Sequence, residues 1–268
     1  MTLLEAILYG AVQGLTEYLP VSSSAHLALL PKFLGTQEMG LSFDVFLHLG
    51  TLAATLLYFR REWLGLATSL HTAQGRKGTW NVVFATIPAL LIGATFRHQI
   101  GTVLRGPQLI AVTLMVGGIL LYVVDRLATG RRGFGEVESR DAWGVGLFQC
   151  LALVPGMSRS GSTILGARFM GLSRESAARF SFFISAPVTA AAVANELRHW
   201  NELVSSVSAI SPSGSQAEAI LILFAGALSA FVFGWLAISG LIRLVSRVGF
   251  GVFAAYRVAL GIVVLYWL

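Results

Sequence analysis

Six stretches of this chain, 41–59, 82–96, 109–124, 180–194, 219–239 and 250–268, stay apolar over the length of a helix instead of alternating like a strand. A backbone in hydrocarbon must satisfy its own N–H and C=O groups, so such stretches cross a bilayer as helices. Only 12% of the residues are charged and 55% are hydrophobic, where soluble domains carry about a quarter charged residues. The expected fold class is an all-α polytopic membrane protein. The 29 glycines suit close helix approach in lipid, and they make a homodimer through small-residue surfaces an expectation. The formal charge of +6 reads as arginine in cytoplasmic loops, not as a nucleic-acid footprint. The lone Cys150 allows no intrachain disulfide. No cleavable signal peptide is expected: Glu5, Gln13 and Glu17 interrupt the first apolar run, and no basic segment precedes it.

Two further apolar regions are broken in the middle. In the first, Gln13 and Glu17 lie four apart and share a helix face. Pro20 ends that helix near Leu19. Ser22, Ser23 and Ser24 follow, each able to cap a new helix, with His26 about one turn beyond Ser23. In the second, Pro155 and Gly156 stop a helix. The run Ser158-Arg159-Ser160-Gly161-Ser162-Thr163 then offers a hydroxyl cap for another. An arginine between apolar segments needs a partner. A fresh helix N-terminus with Arg159 beside it suits phosphate. Both regions, 2–35 and 143–170, read as re-entrant helical hairpins whose tips are buried in protein or line a cavity.

The halves echo each other. Gln13, Pro20 and the serines 22–24 resemble Gln149, Pro155 and residues 158–160, and a small-residue core follows each break at 50–54 and 186–190. Each half, about 1–125 and 143–268, reads as one hairpin plus three spans, giving six transmembrane helices and two re-entrant hairpins. The basic residues of 60–77 and 126–140, with Arg174, Arg179, Arg243 and Arg247, fall on one side by the positive-inside rule. The arginine-poor loop 195–218 falls on the other, with Lys32, Arg97 and Arg105 as minor exceptions. Both termini then lie outside. Three spans per half invert the second half relative to the first, so an inverted-topology repeat brings the two tips together near the midplane.

If the tips meet, one pocket holds Gln13, Glu17, Ser22, Ser23, Ser24, His26, Ser158, Arg159, Ser160 and Thr163. Arg159 and two helix N-termini would hold a phosphate and neutralise its developing charge. A serine beside a histidine suits nucleophilic attack. Glu17 would orient the histidine, activate the nucleophile or hold a divalent cation. His48, inside the first span, is read as a packing residue against a neighbouring helix. Inverted repeats are also a transporter plan, so a flippase for a polyprenyl phosphate is the alternative, and an anion channel a third reading. A nucleophile, a base and a carboxylate in one tip favour chemistry.

The segment from Gln13 to His26 resembles the first motif of the undecaprenyl-diphosphatase family, also called the bacitracin-resistance proteins. That motif is Glu/Gln-x-x-x-Glu followed by Leu-Pro-Val-Ser-Ser and a histidine. Pro155 to Thr163 resembles its second, Pro-Gly-x-Ser-Arg-Ser-x-x-Thr. The resemblance covers nearly the whole chain. It implies an enzyme of the bacterial inner membrane that hydrolyses undecaprenyl diphosphate to the monophosphate, recycling the lipid carrier for peptidoglycan synthesis. By position it implies Glu17, Ser23, His26 and Arg159 as catalytic residues, with Gln13, Ser22, Ser158, Ser160 and Thr163 around the diphosphate. It further implies Mg2+ or Ca2+, with Glu17 as a ligand, and no organic cofactor. Gln13 is the uncharged variant of its position, so a metal site of two carboxylates is not complete here. An outward-facing site follows from the charge asymmetry.

Overall fold

The computed structural model describes residues 1–36, 40–96 and 106–267; Arg97 and Arg105 lie outside them. Among these residues the chain is helical throughout, with one isolated bridge between Arg132 and Leu172. The helices are α1 (Leu3–Tyr18), α2 (Ser23–Leu34), α3 (Leu41–Tyr58), α4 (Arg60–Thr68), α5 (Ala73–Thr95), α6 (Pro107–Leu127), α7 (Ser139–Gln149), α8 (Arg159–Phe169), α9 (Arg174–Leu197), α10 (Trp200–Ile210), α11 (Gln216–Val248) and α12 (Gly251–Trp267). Five of them, α3, α5, α6, α9 and α11, are long and apolar enough to cross a membrane. The sixth expected span, α12, is an apolar helix of 17 residues.

Several helices run further than expected. Arg76 and Lys77 are in the first turns of α5, Arg174 and Arg179 begin α9, and Arg243 and Arg247 are the last turns of the 33-residue α11. The edge of hydrocarbon is not the end of a helix: backbone bonds propagate until a cap stops them. Those caps are Thr72, whose hydroxyl accepts from Gly75 N, Ser173 for α9, and Gly249 at φ 71° ending α11. The polar stretch 195–218, expected as a loop, contains α10, which buries Leu203, Val204 and Val207.

Helix α11 organises the first half of the site. Leu221, Phe224, Leu228, Val232 and Leu236 are exposed and form an outward stripe, whereas Ile222, Gly226, Ala230 and Gly234, four apart, are buried. Against that small-residue face lie α1 and α3. A Cβ on Gly14 would sit 2.6 Å from the Ala230 carbonyl, and one on Gly50 would collide with the Ala227 carbonyl. The glycines are therefore used within the chain to bring α1, α3 and α11 together. Gly50→Ala is expected to lower stability by about 1–3 kcal/mol, because the clash is with backbone and a helix must move. The drop in thermal midpoint of the purified protein in detergent checks this; an unchanged midpoint contradicts the packing.

The basic ends of the helices gather at one end of the molecule. Asp125 at the close of α6 accepts from Arg174 Nε at 2.8 Å, from Arg168 Nε at 3.2 Å and from Phe250 N at 3.2 Å. Arg179 reaches Glu62 at 2.8 Å, and Arg132 makes a two-pronged pair with Asp141 at 2.8 Å per bond. Burial pushes the Asp141 carboxyl up, but the Arg132 fork outweighs that desolvation and holds it below its ordinary range. The N-terminal amine instead bonds the Ile210 carbonyl at the end of α10.

Candidate active site

Both breaks close in the same way. Ser22 (φ 75°) and Ser158 (φ 68°) are the two non-glycine residues with positive φ among the described residues, a conformation that costs an L-residue of order 1–3 kcal/mol. Each caps the helix it precedes: Ser22 Oγ accepts from Ala25 N at 3.4 Å, and Ser158 Oγ from Gly161 N at 3.1 Å. Helix geometry leaves the N–H groups at the first two positions of α2 and α8 without intrahelical partners. Ser23 is the first residue of α2, and Arg159 is the first residue of α8. The strained caps thus set a hydroxyl and a guanidinium at matching places on two facing helix ends.

The two tips meet on Glu17, which is 5% exposed. Arg159 donates to Glu17 Oε1 from Nη2 at 2.7 Å and from Nε at 3.2 Å. Ser23 Oγ donates to Glu17 Oε2 at 2.6 Å, and Gln13 Nε2 donates to the same oxygen at 3.0 Å. Ser160 Oγ joins the breaks again by donating to the Leu19 carbonyl at 3.1 Å. Thr163 Oγ1 donates to the Arg159 carbonyl at 2.8 Å and lies 2.6 Å from Ser181 Oγ. The hydroxyls of Ser22, Ser158, Ser160 and Thr163 are therefore engaged in holding the tips, while Gln13, Ser23 and Arg159 converge on one carboxylate.

Two histidines depart from the sequence reading. His26 does not have Ser23 as a hydrogen-bond partner. Its Nδ1 bonds the Ser22 carbonyl at 2.8 Å and its Nε2 bonds Tyr256 Oη at 2.7 Å, with the two rings stacked at 5.7 Å. His48, read as packing, stands in the site: its Nε2 lies 3.4 Å from Glu17 Oε2. A carbonyl can only accept, so the 2.9 Å bond to Asp44 O fixes the proton on His48 Nδ1. Nε2 is then the nitrogen that faces the carboxylate. The available sequence signal was modest: a histidine inside an apolar span, where an ionisable residue defaults to a functional role.

The residues that remain for a cation are few. Among the described residues no group of three or more His, Cys, Asp or Glu comes together. Buried Gln13 Oε1, however, has no hydrogen-bond partner among the described residues. That orphaned oxygen beside Glu17 fits a hard cation that takes its other oxygens from a phosphate or water.

Together these features define a class: a polytopic helical membrane protein whose two interrupted helices bring an arginine, a serine and a carboxylate together. The comparison with known sequences makes this specific. Residues 6–263 match the family model of the bacitracin resistance protein BacA, and the chain belongs to that family. It is 49% identical over 273 residues to an undecaprenyl-diphosphatase of Gemmatimonas aurantiaca, covering 98% of this chain and 97% of the relative. It is 42% identical to the protein of that name from Desulforudis audaxviator, over 97% of this chain and 96% of the relative. To that of Elusimicrobium minutum it is 40% identical, over 99% and 98%.

Proposed function

We propose that this chain hydrolyses undecaprenyl diphosphate to undecaprenyl phosphate and phosphate, with Ser23 as nucleophile and Glu17 as its base. The observation that carries the reading is the 2.6 Å bond from Ser23 Oγ to a carboxylate that also holds Arg159. The full-length kinship with undecaprenyl-diphosphatases supports the reaction and disfavours the flippase alternative. The terminal phosphoryl group takes Arg159 and the free N–H groups of α2 and α8, which relieves Glu17 of its counter-ion. Ser23 Oγ attacks the terminal phosphorus, its proton passes to Glu17 Oε2, and the bond to the lipid monophosphate breaks. Water then attacks the phosphoserine, gives one proton to His26 Nε2, which releases it to solvent, and phosphate leaves as Ser23 recovers its proton from Glu17. Phosphoryl transfer asks chiefly for such positioning and charge.

Glu17 and Gln13 Oε1 would hold a Mg2+ or Ca2+ ion, which would supply charge neutralisation for the diphosphate. His48 orients Glu17 and shares its proton. His48→Leu is expected to lower kcat about a hundredfold, the low end for a positioned proton carrier. His48→Gln, which keeps a donor toward Glu17, is expected to retain most of the activity; equal losses in both variants would remove His48 from this role.

The finer topology is part of the same proposal: six spans and two re-entrant hairpins, as inverted repeats over about 1–125 and 143–268. The matching caps at Ser22 and Ser158 support it. So does the placing of the α1 start beside Ile210, while α7 starts at the arginine-rich end, bonded through Ser139 to Asn81. With that end cytoplasmic, the termini and the site face the outside of the bacterial inner membrane. A homodimer belongs to the same proposal, its surface drawn from glycines other than Gly14 and Gly50, which pack inside the chain. Phosphate release from undecaprenyl diphosphate by purified protein in detergent tests the function; a flippase or channel releases none. Labelling of Ser24→Cys and Ser213→Cys, each in Cys150→Ser protein, by a membrane-impermeant reagent tests the orientation.

A further inference from the structure

Arg257, on α12, is the largest fully buried side chain among the described residues, 0% exposed. Among the described residues it pairs with no carboxylate. Its guanidinium donates only to carbonyls: Nε to Leu114 at 3.2 Å, Nη1 to Pro20 at 3.5 Å, and Nη2 to Gly156 and Met157 at 3.0 Å each and to Thr113 at 3.5 Å. A buried arginine without an anion is costly, and it persists only when its donors are satisfied by a fixed surround. Here that surround is the backbone of both breaks, Pro20 from the first and Gly156 and Met157 from the second. Two glycines make room for it. A Cβ on Gly161, in the first turn of α8, would lie 2.8 Å from Nη1, and one on Gly117 would collide with Nη2.

We propose that Arg257 is a positioning residue that clasps the two breaks so that Ser23 and Arg159 reach the same Glu17. It also supplies an uncompensated positive charge against the first turn of α8 for an anionic phosphoryl group. A guanidinium is suited to this because its fork spans carbonyls from two segments, which a single ammonium does not. The inference rests on the reading of Ser23, Glu17 and Arg159 as the hydrolytic site.

Three variants separate the fork from the charge. Arg257→Lys keeps the charge and loses the fork. Gly117→Ala keeps Arg257, but its new methyl meets the guanidinium first and displaces Nη2 from Gly156 and Met157. Arg257→Met loses both. Purified proteins are assayed for phosphate release from undecaprenyl diphosphate, with thermal midpoint and monodisperse fraction measured in parallel. Arg257→Lys and Gly117→Ala are expected to lower kcat at least tenfold per folded molecule with KM nearly unchanged. Arg257→Met is expected to raise KM as well. Gly75→Ala, whose new methyl would collide with the Ser69 carbonyl where α4 turns into α5, serves as the comparison: it lowers the midpoint without changing kcat per folded molecule. If Arg257→Lys and Gly117→Ala keep wild-type kcat, or lose activity only in proportion to lost folded protein, the inference is wrong. Should Arg257→Met fail to fold, those two variants still decide. If Ser23→Ala releases phosphate as wild type does, the site reading fails instead.

Discussion

Ser23→Ala is expected to lower kcat for phosphate release by roughly 10⁴-fold or more, the scale seen when a nucleophile is removed, with the thermal midpoint almost unchanged. The hydroxyl is half-buried and makes one hydrogen bond, to Glu17 Oε2. Its loss costs stability about 1 kcal/mol, far too little to account for such a loss of rate. The backbone of the tip does not depend on it, because Ser22 supplies the cap. His26→Ala is the informative partner. It removes the ring stacked on Tyr256 and the second proton carrier, and a loss of about 10²-fold is expected. Single-turnover reactions quenched in acid should trap phosphate on Ser23 in wild type and none in Ser23→Ala. The opposite pattern, an active Ser23→Ala that keeps its label through a quench in base but not in acid and an inactive His26→Ala that carries none, would mean that a phosphohistidine at position 26 carries the chemistry.

Arg159→Lys is expected to lower kcat by about 10²–10³-fold, as loss of one transition-state charge contact does, and Arg159→Ala by more. Lysine retains the charge, but it cannot hold Glu17 Oε1 from two nitrogens as Nε and Nη2 do. Alanine also leaves Glu17, 5% exposed, without its cation, and breaking such a pair typically costs about 3–5 kcal/mol. The two variants therefore separate by stability as well as rate. Arg159→Lys keeps its midpoint within a few degrees, whereas Arg159→Ala melts earlier and regains stability when Glu17→Gln is added. A double variant no more stable than Arg159→Ala alone would show that the pair is not the buried charge contact described.

The sequence by itself determined the elements whose causes are local. Apolar runs made spanning helices, Pro20 and the Pro155-Gly156 pair made breaks, and the serines after them made caps. The echo between the two breaks put Arg159 and Glu17 in one pocket in expectation, the arginine for a phosphate and the carboxylate for the histidine, the nucleophile or a cation, not for each other. The ends of α5, α9 and α11 were missed because charge was read as loop, although Thr72 and Ser173 were legible as caps. Only the tertiary structure decided which groups surround Glu17. His48 arrives from α3, Arg159 from α8, and Arg257 secures both breaks from α12. Those placements depend on how closely α1, α3 and α11 approach across Gly14 and Gly50. That approach is a property of two packed surfaces at once, so helical spacing within one segment does not contain it.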